Sequence, residues 1–447
     1  MNQLDKLKKR FEKNKFVSAV LTLVTGQALG QAIGLITTPI VSRLYDTVAY
    51  GEYAIVVSTA TIICTVSQAG LSSAIMMPVD EEEAKKVFNA ASIFQVAVST
   101  LVILVMLVIA SWIQAFELRI PYILGLIFMW VYIVLTNCNN MLRIYMNRLK
   151  MYKALFWNSI LSACTTLFVT IPLGFVHTDF NGLLIAACVA AAGCVVQMLV
   201  KANPFQRISL HDIKRVIIDY KRFVFLQLPA NMIGTLSQQL PNQVLGASMG
   251  TAALGSYSMS NKILGIPSRM IASPINTVYF RTAVDYVRDG RDLAGFTFSL
   301  VKRIMYAWVP IILILIVCGD RLFGFVLGER WEEAGIISAI LAFQYMFTFC
   351  MTSTGYCRVA LDRQGINLTM SLVNLALIAI SLFVGVMLFS DVIGILACFA
   401  VGGSLARIID VVANFICLKK YPVQFLLFAI GYVLVVGGLG IAIRTLI

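Results

Sequence analysis

Thirteen runs of roughly 20 apolar residues, separated by short connections, leave this chain few ways to fold. In hydrocarbon every backbone N–H and C=O must be satisfied within the protein, so a run of that length crosses as a helix. The runs cover 17–41, 53–77, 88–111, 122–142, 154–176, 182–200, 223–247, 254–279, 301–319, 334–356, 366–389, 393–416 and 423–443. Only 13% of the 447 residues are charged, about half the share of a soluble domain, and 59% are apolar. The sequence predicts an all-α polytopic membrane protein.

Charge in the connections sets the orientation. Lys6, Lys8, Lys9, Arg10, Lys13 and Lys15 precede the first run, and no short apolar segment with a small-residue cleavage site opens the chain. Alternate connections on the side of that tail carry Lys85 and Lys86, then Arg143, Arg148, Lys150 and Lys153, then the Lys201–Arg222 stretch. They continue with the Arg281–Arg303 stretch, Arg358, Arg363, Lys419 and Lys420. The opposite side carries only Arg43, Arg119, Arg321, Arg330 and Arg444. This is the positive-inside pattern, with a cytoplasmic N-terminus. The net charge of +13 therefore belongs to topology and anionic lipid, and nucleic acid is not expected as a partner.

The longest basic connection falls near the middle of the chain and divides it into an N-lobe over 1–203 with six spans, a connection over 204–222, a C-lobe over 223–418 with six more, and an appended hydrophobic helix over 419–447. An even number of spans per half makes the halves a parallel repeat. Local pattern agrees. The first span sets Gln27, Gln31, Thr38 and Ser42 on one face, and the seventh sets Gln227, Asn231, Gln238 and Asn242 at the same spacing. Each has a nearby proline, Pro39 or Pro241, and a following Gly-x-Tyr at Gly51–Tyr53 or Gly255–Tyr257. Amides facing lipid are costly, so these faces turn toward other helices or toward water. Matching spacing in two helices favours a shared polar cavity.

The eighth span carries Lys262 and Arg269 and no acidic residue. Seven residues are about two turns, so both cations leave one face, with Ser258, Ser273 and Asn276. A cation near mid-membrane costs about 3 kcal/mol on insertion scales, and such residues usually mark a polar path. Snorkelling is the bland alternative, but the cations lie eight and ten residues from the two ends of the segment. Phosphate asks for Lys or Arg, whereas sugar hydroxyls ask for neutral amides and hydroxyls. Together the two features describe a site for a phosphorylated polar solute.

Other features read more plainly. Gly26, Gly30 and Gly34 suit close helix packing. Pro229, Pro241, Pro267 and Pro274 suit bends in the seventh and eighth spans. Arg407 and Asp410 are three apart, as a local ion pair would be, with Asp410 also a candidate coupling-ion carboxylate. The acidic run Asp80–Glu83, followed by Lys85 and Lys86, reads as a solvated loop or helix start. Ten scattered cysteines and two histidines, His177 and His211, both placed in loops, offer no metal site, disulfide framework or catalytic constellation. External loops are too short for a glycan polymerase or ligase, and no cofactor is expected.

The stretches Gly34–Tyr53, Leu228–Gly250, Gly255–Pro267 and Gly328–Gly335 (GERWEEAG), with the Asp80–Lys86 run, resemble the Wzx-type oligosaccharide flippases of the MOP transporter superfamily. That resemblance implies two six-helix bundles around a central cavity. It also implies movement of undecaprenyl-diphosphate-linked oligosaccharide repeat units across the cytoplasmic membrane by alternating access, for O-antigen, capsule or another surface glycan. A polysaccharide polymerase and chain-length machinery are the implied partners. On this reading Lys262 and Arg269 meet the diphosphate, and Gln27, Gln31, Thr38, Gln227, Asn231, Gln238, Asn242, Ser258 and Ser273 meet sugar. A drug or cation antiporter of the same superfamily is the rival, opposed by the lack of carboxylates in the first six spans.

Overall fold

The computed structural model describes residues 25–110, 122–176, 179–363 and 365–446. The basic N-terminal tail, residues 17–24 of the first expected span, Arg119 and His177 lie outside them. The described residues form helices joined by short turns, with no strand among them, and ten of the helices are long and apolar enough to cross a membrane. By packing, the chain divides into two compact units. One takes residues up to Leu44 with Thr59–Met232, and the other takes Tyr45–Ser58 with Ile233–Ile447. The sequence boundary lay in the connection over 204–222, whereas this division falls inside a helix at Met232.

The first unit contains α1 (25–44), the second half of α2 (Thr47–Gln68), the short α3 (Leu71–Ala74), α4 (Glu81–Ala110), α5 (Tyr122–Arg148), α6 (Tyr152–Val176), α7 (Phe180–Lys201) and α8 (Leu210–Asp219). Its core gathers Leu71, Ile75, Phe88, Met141, Tyr145 and Met198. The α1 glycines divide in role. A Cβ on Gly26 would lie 2.8 Å from the Phe156 ring, and one on Gly30 would lie 3.0 Å from the Ser159 carbonyl oxygen, whereas Gly34 faces open space. Close packing against α6 thus accounts for two of the three.

Helix α8 was not expected, and it puts His211 on a helix rather than in a loop. Its start is capped by Ser209, whose hydroxyl accepts from the Asp212 N–H at 3.2 Å. Asn89 ties the preceding stretch down, donating to the Pro204 carbonyl at 2.8 Å and accepting from the Gln206 N–H at 3.3 Å.

The second unit holds the first half of α2, most of α9 (Lys221–Pro267), a π turn (Ser268–Ala272), α10 (Ser273–Arg288), α11 (Leu293–Leu327), α12 (Glu332–Ser353), the short α13 (Cys357–Ala360), α14 (Gly365–Leu388), α15 (Val392–Cys417) and α16 (Pro422–Leu446). The seventh and eighth expected spans are therefore one interrupted helix. Its 47 residues would reach about 70 Å if straight, more than twice the hydrocarbon thickness. The break comes at Gly250, whose φ of 84° and ψ of 179° suit glycine alone. Helix α16, the appended segment, is docked: Phe425 and Ala429 are fully buried, and the Tyr432 hydroxyl donates to the Met305 carbonyl at 2.6 Å.

The two Gly-x-Tyr motifs meet inside this unit. The match extends beyond Gly-x-Tyr, to Thr-x-Ala-x-Gly-x-Tyr at both Thr47–Tyr53 and Thr251–Tyr257. A Cβ on Gly51 would lie 1.7 Å from the Thr251 carbonyl oxygen, and one on Gly255 would lie 1.8 Å from that of Thr47. Each glycine rests on the backbone one turn before the other, as small residues permit when helices touch main chain to main chain.

Candidate functional site

Prolines shape the stretch that carries the two cations. Pro274 has no N–H to return to the preceding turn, and the chain widens before it into the π turn, closed by the Ser273 N–H on the Ser268 carbonyl. Arg269 lies in that turn. Its guanidinium folds back along the helix, and Nη2 donates to the Lys262 carbonyl at 2.9 Å. Gly265 makes room for it, since a Cβ there would lie 2.5 Å from Arg269 Nη1. The Lys262 Nζ stands 5.7 Å from the centroid of the Tyr50 ring. That ring meets the fully buried Trp331 edge-on at 5.2 Å.

Both cations are exposed on the chain, and among the described residues neither has a carboxylate partner. An aromatic face and a peptide carbonyl hold them without neutralising them. Cation–π contact of this kind contributes about 0.5–1 kcal/mol where solvent reaches it, and a bond to a phosphate oxygen is stronger. An anion can therefore replace both contacts.

Of the companions on that face, Ser258 keeps a buried Oγ with no partner, and Ser273 is exposed. Asn276 is turned to structure instead, accepting from the Tyr356 N–H at 3.1 Å. Beside Lys262, the Tyr345 hydroxyl donates to Asn261 Oδ1. Two serines dock this part of α9 on the start of α12. Ser256 donates to Glu333 at 2.8 Å and Ser260 to the Ala334 carbonyl at 2.6 Å.

The amide faces divide between the units. Gln27, Gln31, Thr38, Gln227 and Asn231 belong to the first, and Gln238 and Asn242 to the second. Gln27, Asn231 and Gln238 are exposed, and Gln31 and Gln227 half-buried. Asn242 donates to Gln239 at 3.0 Å while its own Oδ1 is buried without a partner. Thr38 is buried, and its hydroxyl returns to the Gly34 carbonyl at 2.7 Å, so it presents no donor.

The expected Arg407–Asp410 pair is not formed. Asp410 instead binds Arg358 of α13 at 2.9 Å, with both side chains largely buried. Arg407 turns to neutral oxygens, Thr348 Oγ1 and the Gly403 carbonyl, each at 2.9 Å. Neighbours three apart on a helix lose here to a partner from another element that reaches a less solvated position.

Two ionisable residues were misplaced by span limits. Helix α5 continues to Arg148, so Arg143 sits inside it rather than in a basic loop. Close by, the fully buried Asn158 donates to the Cys194 carbonyl at 3.2 Å and to Gln197 at 3.1 Å, and its Oδ1 has no partner. Helix α2 starts at Thr47 rather than 53, which places Glu52 within it and almost wholly buried. The first six spans therefore do contain a carboxylate. Asp46, whose carboxylate accepts from the Ala49 N–H at 2.8 Å, was the capping signal that could have located this start.

Residues 40–336 match the family described as polysaccharide biosynthesis protein. The chain is 22% identical over 337 residues to the succinoglycan biosynthesis transport protein ExoT of Rhizobium meliloti (strain 1021), a match covering 72% of this chain. It spans 65% of the length of that relative. Among solved structures, the lipid II flippase MurJ in an inward closed conformation aligns with a TM-score of 0.65 at 11% identity, over 94% of this chain and 98% of that one. An inward-facing multidrug resistance MATE family transporter of the MOP superfamily aligns at 0.60 and 12% identity, over 90% and 98%. A MOP superfamily transporter from Pyrococcus furiosus, described by the reverse polarity of its binding pocket, aligns at 0.55 and 14% identity, over 90% and 96%. The fold is that of the MOP transporters, in a multi-pass membrane protein.

Proposed function

This chain belongs to the polysaccharide biosynthesis protein family, and we propose that it carries a glycan linked to a lipid diphosphate across the cytoplasmic membrane. The observation that carries this reading is the pair Lys262 and Arg269 at the end of α9 and in the π turn after it, two cations that among the described residues are held by a ring face and a peptide carbonyl. A diphosphate supplies the missing negative charge. Amides and hydroxyls of the same unit, among them Gln238, Asn242, Ser258 and Ser273, supply neutral groups for sugar. The substrate class is an undecaprenyl-diphosphate-linked repeat unit, bound for O-antigen, capsule or another surface polysaccharide. Loop charge sets the N-terminus on the cytoplasmic side. A polymerase and chain-length machinery then act on the exported units.

Complementation of strains lacking a defined flippase, with surface glycan read on gels, tests the reading. Lys262→Ala and Arg269→Ala each reduce glycan export severalfold, and the double variant abolishes it, at unchanged protein level in the membrane. Normal export by all three would sink the assignment.

One observation favours a second reading, a cation antiporter on the same fold: the buried carboxylate of Glu52. Under that reading Glu52→Gln stops efflux of a cationic dye. Under the first it leaves dye retention unchanged while Lys262→Ala impairs glycan export.

A further inference from the structure

A cavity of about 370 Å³ lies within the second unit, where the α10–α11 turn meets the α15–α16 turn. Its floor is apolar, formed by Leu293, Leu361 and Leu418 over the small core of Tyr279, Ala283 and Cys357. Its rim is basic, carrying Arg291, Lys419 and Lys420 against one carboxylate, Asp292. Both turns take left-handed backbone to bring these residues round. Gly290 has a φ of 66°, Lys419 of 57° and Tyr421 of 64°. For lysine and tyrosine that conformation is unfavourable, so packing of the surrounding turns must hold it.

The rim charges differ in how far they are satisfied. Arg291 bonds Asp289 at 3.1 Å and covers the Tyr286 ring at 4.2 Å from its centroid. Lys420 bonds Asp292 at 3.1 Å. Lys419 has no carboxylate partner among the described residues. Exposed pairs like these are weak and exchange readily for a better anion. Both turns fall on the side that loop charge assigns to the cytoplasm, the side whose leaflet carries the anionic lipid.

We propose that this cavity binds the phosphate headgroup of one anionic phospholipid, with the glycerol and upper acyl carbons over Leu293, Leu361 and Leu418 and the phosphate between Lys419, Lys420 and Arg291. An apolar floor under a cationic rim fits an amphiphile better than a free anion. A bound headgroup joins the two turns, fastening α11 to the α15–α16 corner. This site shares no residue with the Lys262 and Arg269 pair.

The test uses the full chain in detergent, titrated with phosphatidylglycerol, phosphatidylcholine or inorganic phosphate, reading thermal stabilisation and lipid retention by native mass spectrometry. Phosphatidylglycerol is retained and stabilises, and phosphatidylcholine does not. Each rim cation removed weakens retention about fivefold, so Lys419→Gln with Lys420→Gln lowers it roughly 25-fold. Lys419→Gln alone guards against misfolding, because that side chain is exposed and has no carboxylate partner among the described residues. Lys214→Gln, on α8 outside the cavity, leaves retention unchanged. Equal retention by wild type and the Lys419 and Lys420 variants overturns the proposal, as does an equal loss in Lys214→Gln. Protection by inorganic phosphate matching that by lipid overturns the assignment to a phospholipid.

Discussion

Removing the charge of Asp410 separates a structural role from a transport role. Its carboxylate lies 2.9 Å from Arg358, with side-chain exposures of 14% and 6%. At an effective dielectric constant near 20, unit charges about 4 Å apart attract by about 4 kcal/mol. Asp410→Asn keeps the shape and leaves the Arg358 guanidinium buried without its counterion. Nε and Nη1 of that arginine already lack partners, so nothing nearby can take over. Breaking one side of such a pair costs about 3–5 kcal/mol, whereas replacing both sides with apolar groups is near neutral. The expected order of thermal midpoints in detergent is wild type close to Arg358→Met/Asp410→Leu, with Asp410→Asn well below both. If Asp410 were instead a coupling-ion carboxylate, Asp410→Asn would keep its midpoint and lose transport, and the double variant would be inactive. A wild-type midpoint for Asp410→Asn refutes the buried-pair argument. Wild-type glycan export by the double variant removes Asp410 from the coupling mechanism.

Two further outcomes follow from the same geometry. Gly51→Ala and Gly255→Ala each gain about 1 kcal/mol of helix propensity. They lose more, about 1–3 kcal/mol, because the new methyl would lie 1.7 or 1.8 Å from a main-chain oxygen that only backbone movement can displace; a raised midpoint for either would show that the helices part freely. Lys420 beside Asp292, helped by the Gly295 N–H, holds that carboxyl below the usual carboxylate range. A depressed acid stabilises the fold above its unfolded pKa near 4, and the contribution is lost as pH falls through the folded value. The midpoint difference between wild type and Asp292→Asn is therefore constant above about pH 5 and shrinks in stronger acid; a difference that persists unchanged to pH 3 would remove the carboxylate from the account.

How much was legible depended on the range over which each feature is encoded. Apolar runs are local, and α4 to α7, α11, α12 and α14 to α16 each contain most of the run that predicts them, though α4, α5 and α11 extend several residues beyond it. Start signals are also local. Asp46 before α2 and the Ser209–Asp212 pair before α8 are capping arrangements, and reading them would have placed Glu52 inside a span and His211 on a helix. Partner choice across elements was not legible. Nothing near Asp410 in the chain names Arg358, and nothing near Lys262 names Tyr50. The cations themselves stood out because charge in a long apolar run has few explanations. What their side chains touch depends on Gly265 and on the π turn before Pro274, where the prolines suggest a bend but not a widened turn.

The paired Thr-x-Ala-x-Gly-x-Tyr segments bear on how this chain can change over generations. Each glycine is opposed by main chain rather than by a side chain, so no substitution in the facing segment can make space for a methyl group. Moving the segments apart to admit one side chain would equally open the place where the other glycine sits. The two positions thus answer to a single separation and act as one inherited trait written twice, 204 residues apart. A side chain at either site would have to be met by the same movement of both segments, so the two positions are constrained together.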